Sequence, residues 1–124
     1  MTVSPYDGRH LIADLEDGSN LADPVLVEAC LVAATAAAGA TLLEVRLHHF
    51  GAGQGVTGVA LLAESHISIH TWPEHGYAAV DIFMCGKAHR LEAALDVIAE
   101  AFGARVSSCT VLPRGFGQTV AAGG

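Results

Sequence analysis

Apolar side chains along this chain recur with two periods, and each change of period marks a new element. From Arg9 to Glu16 they alternate, at Leu11, Ala13 and Leu15, which predicts a strand. Asp23-Pro24 then reads as a helix start, with Asp as N-cap and Pro at the first helical position. That helix is expected to run to about Ala38, where Gly39 suits a C-terminal cap. It is apolar almost all round, so it should be well covered. Thr41 to Phe50 and Val56 to Ala63 read as strands joined by the loop Gly51-Ala52-Gly53-Gln54-Gly55. His66 to Trp72 and Tyr77 to Met84 are two more, around a turn at Pro73 to Gly76. From His89 to Phe102, apolar residues at Leu91, Ala94, Leu95, Ile98, Ala101 and Phe102 fall at helical spacing, with Gly103 as the stop. Arg105 to Leu112 is a last strand, and the Gly-rich tail from Pro113 is expected to fray.

The order β-α-β-β-β-β-α-β predicts an α+β domain, an antiparallel sheet with both helices on one face. A chain of 124 residues, without repeat or linker, is one domain over 1–124. Hydrophobic residues are 52% and charged ones 15%, so a sheet covered on one side only is expected to dimerise through its other face. The formal charge of −7, with six Lys and Arg, leaves no basic patch for nucleic acid or an anionic membrane. The three cysteines, Cys30, Cys85 and Cys109, are odd in number and make no disulfide framework. The longest apolar run, Pro24 to Ala40, is broken by Glu28 and Thr35 and reads as a buried helix rather than a membrane span. Met1 to Asp7 lacks the apolar segment of a secretory signal, so the bacterial or archaeal cytoplasm is the expected compartment.

One stretch crowds reactive side chains into what reads as core sheet: ESHISIHTWPEHGYAAVDIFMC, from Glu64 to Cys85. It admits three readings. His66, His70, His75 and Cys85 are metal-ligand types, and a non-catalytic His/Cys metal-binding domain is one possibility. On a strand, however, His66 and His70 sit two pleats apart, too far for one ion unaided. A purely structural reading suits each residue singly and is strained for all together. Covalent catalysis needs a nucleophile, a base and an acid, and Ser65, a histidine and Cys85 offer them. No Gly-x-Ser-x-Gly elbow surrounds Ser65, and spacing alone pairs it with no histidine.

The same block closely resembles the signature of the prokaryotic S-adenosylmethionine decarboxylases, small pyruvoyl-dependent enzymes. The resemblance extends to Gly8-Arg9-His10, to His48-x-Phe50 and to Val56-Thr57-Gly58-Val59, covering most of residues 8–86, while the last forty or so residues match only in pattern. It implies self-cleavage between Glu64 and Ser65 into residues 1–64 and 65–124, with Ser65 becoming the pyruvoyl group that forms a Schiff base with substrate. His70 matches the family's processing base, and Thr57 stands where the family usually has a serine that assists processing. Cys85 matches the general acid of decarboxylation. Phe50 and Trp72 match aromatics that stack on adenine near the sulfonium, and Glu74 the group that grips the ribose hydroxyls. The resemblance further implies a four-layer α/β/β/α homodimer, or a higher oligomer, with active sites shared between subunits. No metal is implied. The product is the decarboxylated aminopropyl donor of spermidine and polyamine biosynthesis.

Two features depart from that pattern. The loop after Phe50 is one residue longer than usual and lacks the family's Pro and Tyr, so pyruvoyl-dependent arginine or ornithine decarboxylases stay open as alternatives on the same scaffold. Phe50, Trp72 and Glu74 favour the nucleoside substrate. Ser65 and His70, five residues apart, fall on opposite faces of a regular strand, so a bend, twist or bulge is expected near Ser65.

Overall fold

The structure, a computed structural model, describes residues 8–85 and 89–115. Six strands and two helices follow the expected order: β1 (Gly8–Glu16), α1 (Pro24–Ala38), β2 (Leu42–His49), β3 (Val56–Leu62), β4 (Ser65–Trp72), β5 (Tyr77–Cys85), α2 (Leu91–Ala101) and β6 (Arg105–Arg114), with a single 3-10 turn at Pro73–His75. The strands form one antiparallel sheet in the order β2-β3-β4-β5-β1-β6.

Alternation along the strands decides which side is covered. Leu11, Ala13 and Leu15 of β1, Ile67 and Ile69 of β4, and Ala78, Val80, Ile82 and Met84 of β5 are buried together with Val27, Leu31 and Ala34 of α1 and Leu91, Leu95 and Ile98 of α2. Each fully buried Leu or Ile contributes about 1.5–3 kcal/mol, so this single layer of contacts holds the helices on one face. Gly58 makes room for it, since a Cβ there would lie 2.7 Å from Leu47 Cδ2 and 3.1 Å from Leu31 Cδ1. The opposite face carries His10, Ile12 and Asp14, then Thr57 and Leu61, then His66, Ser68, His70 and Trp72, then Tyr77, Asp81, Phe83 and Cys85, and no element among the described residues covers it.

Local signals set the ends of α1. Asp23 Oδ1 accepts the amides of Val25 at 3.0 Å and Leu26 at 3.3 Å, and Gly39 closes the helix with φ +77°. At α2 the outcome differs from the sequence reading, because the helix starts at Leu91 rather than His89. Arg90 is extended, with φ −113° and no side-chain cap, and His89 turns its ring back to the Cys85 carbonyl instead. The last strand also runs further than expected, through Pro113 and Arg114. Pro113 pairs with Arg9 on an edge strand, where a missing N–H costs no ladder bond on the solvent side. Gly86 and the tail beyond Gly115 lie outside the described residues.

Candidate active site

Two clusters lie at opposite ends of β4. The first surrounds the peptide bond between Glu64 and Ser65. Ala63 and Glu64 form the two-residue turn between β3 and β4, and Leu62 pairs directly with Ser65. Glu64 takes φ +63°, a left-handed conformation that costs a residue with a Cβ about 1–2 kcal/mol. Its carbonyl oxygen accepts the Cys85 thiol at 3.1 Å, and the Cys85 amide donates to Ser65 Oγ at 3.2 Å. Burial first, and the Glu64 carboxylate second, push the Cys85 thiol up, so at neutral pH it is a protonated, neutral donor.

The bend, twist or bulge expected near Ser65 to bring it and His70 to one face is not found: the left-handed turn lies before Ser65 and leaves the parity of β4 unchanged. The β3–β4 register runs without a shift from Leu62–Ser65 to Thr57–His70, and no bulge interrupts β4. His70 therefore points away from the face that Ser65 shares with Ile67, and at about 3.4 Å per residue it lies roughly 17 Å along the strand. Within one chain Ser65 and Cys85 meet, and His70 does not reach them.

The second cluster gathers the other motif residues. Thr57 sits opposite His70, and its hydroxyl lies 2.7 Å from His70 Nδ1. The His70 ring is 4.0 Å from Trp72 and 6.0 Å from Phe50, centroid to centroid. Phe50, Trp72 and Glu74, with Gln54 and Gly55, line an open depression of about 230 Å³. The long loop is closed compactly by Phe50 N–H to Gly55 O at 3.0 Å and Gln54 N–H to Gly51 O at 2.9 Å. Gly55 is required there, because a Cβ would collide with the Thr71 carbonyl. The loop brings Gln54 to the depression, a lining residue the sequence reading did not single out.

Between the clusters lies a network that the sequence reading also missed. Asp81 Oδ1 lies 2.9 Å from His66 Nε2 and 3.2 Å from His10 Nε2, and Oδ2 accepts the Ser68 hydroxyl. Burial alone would raise the Asp81 carboxyl, but hydrogen bonds from Ser68, His10 and His66 outweigh it and hold it below the usual carboxylate range. Phe83 packs between the imidazoles, stacked on His66 and edge-on to His10. The one available signal was a carboxylate in the otherwise apolar run of β5, which demanded partners.

His10, His66 and Asp81 are the one group of three metal-ligating side chains found together among the described residues, their ligand atoms within 4.8 Å of one another. Arg114 Nη1 lies 3.2 Å from His10 Nδ1, and an arginine can only donate. The His10 proton therefore sits on Nε2 and faces Asp81, so the trio reads as hydrogen-bonded. The alternative ligand set of His66, His70, His75 and Cys85 is not assembled.

Fold and site together define a class: a half-covered α+β sheet that carries a serine and a neutral thiol at a peptide bond in a strained turn, and an imidazole–hydroxyl pair at the far end of the same strand. A family model described as S-adenosylmethionine decarboxylase matches residues 9–115. The S-adenosylmethionine decarboxylase proenzyme of Anoxybacillus flavithermus is 46% identical over 112 residues, 89% of each chain. That of Prochlorococcus marinus is 48% identical over 100 residues, 79% of each. The crystal structure of the adenosylmethionine decarboxylase from Aquifex aeolicus superposes with a TM-score of 0.75 at 32% identity, over 97% of this chain and 98% of that one. The chain belongs to the S-adenosylmethionine decarboxylase family. Among the described residues no helix is long and apolar enough to cross a membrane.

Proposed function

We propose that this chain is the precursor of a pyruvoyl-dependent S-adenosylmethionine decarboxylase and cuts itself between Glu64 and Ser65. As a member of this family it is a carboxy-lyase. One observation carries the proposal: Cys85 engages both sides of that peptide bond, its thiol on the Glu64 carbonyl and its amide on the Ser65 hydroxyl.

The chemistry follows from those contacts. The thiol draws electron density from the carbonyl and stabilises the negative charge that develops as Ser65 Oγ adds to the carbon. The amide bond breaks, an ester forms to Oγ, and the hydroxyl proton passes to the Ser65 nitrogen. A base then removes the Ser65 α-hydrogen, and the ester departs as the Glu64 carboxylate. Water displaces the nitrogen of the remaining dehydroalanine as ammonia, leaving a ketone. The residues present fit that group: Ser65 opens a strand, and a neutral thiol lies beside it. Once formed, the pyruvoyl group supplies an electron sink for the bond to the departing carboxylate. The protonated Cys85 thiol delivers the replacing proton to the substrate α-carbon.

His70, the motif's base, comes from a second copy. Two protomers pair bare face to bare face about a two-fold axis that lies in the interface and runs across β4. The Ser65 end of one then faces the Thr57–His70–Trp72 end of the other. Ile12, Leu61 and Leu112, exposed on the bare face, support that pairing. Within one chain Trp72 is about 24 Å along β4 from Ser65, further than one adenosylmethionine reaches. The partner's copies of Phe50 and Trp72 stack on the adenine beside the sulfonium, and its Glu74 accepts from the ribose hydroxyls. The product is the aminopropyl donor for polyamine synthesis. Intact mass under denaturing conditions tests the proposal. Two chains, 1–64 and 65–124, the second opening on a ketone, are expected; a single chain after long incubation overturns it.

A further inference from the structure

We infer that His89, braced by Arg9, is a positioning residue that holds Cys85 against the Glu64–Ser65 peptide, an inference that rests on the self-processing reading above. Cys85 is engaged through three groups at once. Its amide donates to Ser65 Oγ at 3.2 Å and its thiol to the Glu64 carbonyl at 3.1 Å. Its own carbonyl oxygen lies 2.7 Å from His89 Nδ1. A carbonyl oxygen only accepts, so the His89 proton resides on Nδ1 and donates. This is the shortest of the three contacts and the only one that does not involve the reacting peptide.

The clamp is needed because the sheet holds Cys85 from one side only, where β1 sets Gly8 opposite it. Pairing between β4 and β5 ends at His66–Phe83, two residues short of Cys85. On the side facing Ser65, then, no ladder bond fixes the height or rotation of Cys85. His89 adds a hold on the Cys85 carbonyl and is itself fixed. Its carbonyl accepts Arg9 Nη2 at 2.7 Å, and the following amide, of Arg90, donates to the Ala38 carbonyl at the end of α1 at 3.1 Å. Arg9 lies on β1 opposite Met84, the residue before Cys85. The brace thus ties the thiol's backbone to a neighbouring strand and to the helix layer. Helical spacing drew His89 into α2, but its ring has left the helix entry uncapped and serves this contact instead.

Both of Cys85's donors to the peptide pivot on one residue, so a small rotation misaligns them together. A displacement of about 1 Å in such a site costs on the order of a hundredfold in rate. His89→Leu keeps bulk and removes the donor, whereas His89→Asn keeps an N–H close to where Nδ1 stands. Two measurements separate the readings. The first is the rate at which residues 1–64 and 65–124 appear by intact mass. The second is the rate of iodoacetamide alkylation at Cys85, read by peptide mass in the uncut Ser65→Ala background. His89→Leu is expected to cleave at least tenfold more slowly, roughly, and to be alkylated several-fold faster at a loosened Cys85. His89→Asn is expected to track the unsubstituted chain in both. Should His89→Leu not fold, Arg9→Met, which removes only the brace, is expected to shift both rates in the same directions. Unchanged cleavage and alkylation in His89→Leu overturn the inference, as does a His89→Asn chain as impaired as His89→Leu. If the unsubstituted chain itself stays uncut, the self-processing reading fails, and alkylation alone decides the clamp.

Discussion

Glu64 holds a left-handed backbone conformation at the bond proposed to break, and substitution there measures whether that strain drives the proposed reaction. A residue with a Cβ costs about 1–2 kcal/mol in this region, and glycine close to nothing. If the turn relaxes as the amide gives way to the ester, the strain raises the precursor and not the transition state. Glu64→Gly then removes about 1–2 kcal/mol of driving force, which at 1.36 kcal/mol per tenfold slows cleavage by about 5- to 30-fold. Glu64→Ala is the control: it loses the carboxylate and keeps the Cβ, so it should cleave at about the rate of the unsubstituted chain. Both are followed by intact mass from freshly purified precursor at constant pH. Glycine at this position also loosens the unfolded chain by about 0.5–1 kcal/mol, so the melting temperature of an uncut background should move little in either direction. Glycine and alanine chains that cleave equally fast would show that the strain is not used.

Co-expression of Ser65→Ala with His70→Ala tests the shared site, since each alone is expected to stay uncut. In mixed dimers the intact Ser65 meets the partner's intact His70, and in an equal random mixture about half of the His70→Ala chains should be cut; no cleavage would return His70 to its own chain. The Glu64 carboxylate raises the Cys85 thiol by disfavouring its anion, so Glu64→Gln should shift the pH dependence of Cys85 alkylation in an uncut background to lower pH. Cys30, on the buried side of α1, has its thiol pushed up by burial to about 12 from 9.0. A raised folded pKa means stability that is complete below pH 9 and lost as pH climbs toward 12, at up to about 1.36 kcal/mol per pH unit. Denaturant unfolding of Cys30→Ala should show a shallower alkaline decline, and a decline equal to that of the unsubstituted chain would exclude Cys30 as its source.

What the sequence determined by itself was whatever depends on neighbours a few residues away. The ends of α1 were legible because Asp23, Pro24 and Gly39 act on backbone groups within one turn. The faces of β1, β4 and β5 were legible because side-chain direction alternates whatever the strand pairs with, and the same parity already set Ser65 and His70 on opposite sides. The long motif supplied the family and the candidate reactive residues. Tertiary structure alone decided which of them meet. Asp81 finds its partners because β1 and β4 both pair with β5 in a register that sets His10 and His66 opposite Phe83, and register is settled by the whole sheet. His89 was misread for the same reason, its helical spacing overridden by a carbonyl four residues earlier that a strand end holds within reach. The separation of about 17 Å between His70 and Ser65 comes from an uninterrupted ladder, which no local signal reveals. That ladder sets the Ser65–Cys85 contact and the Thr57–His70–Trp72 cluster at opposite ends of one strand.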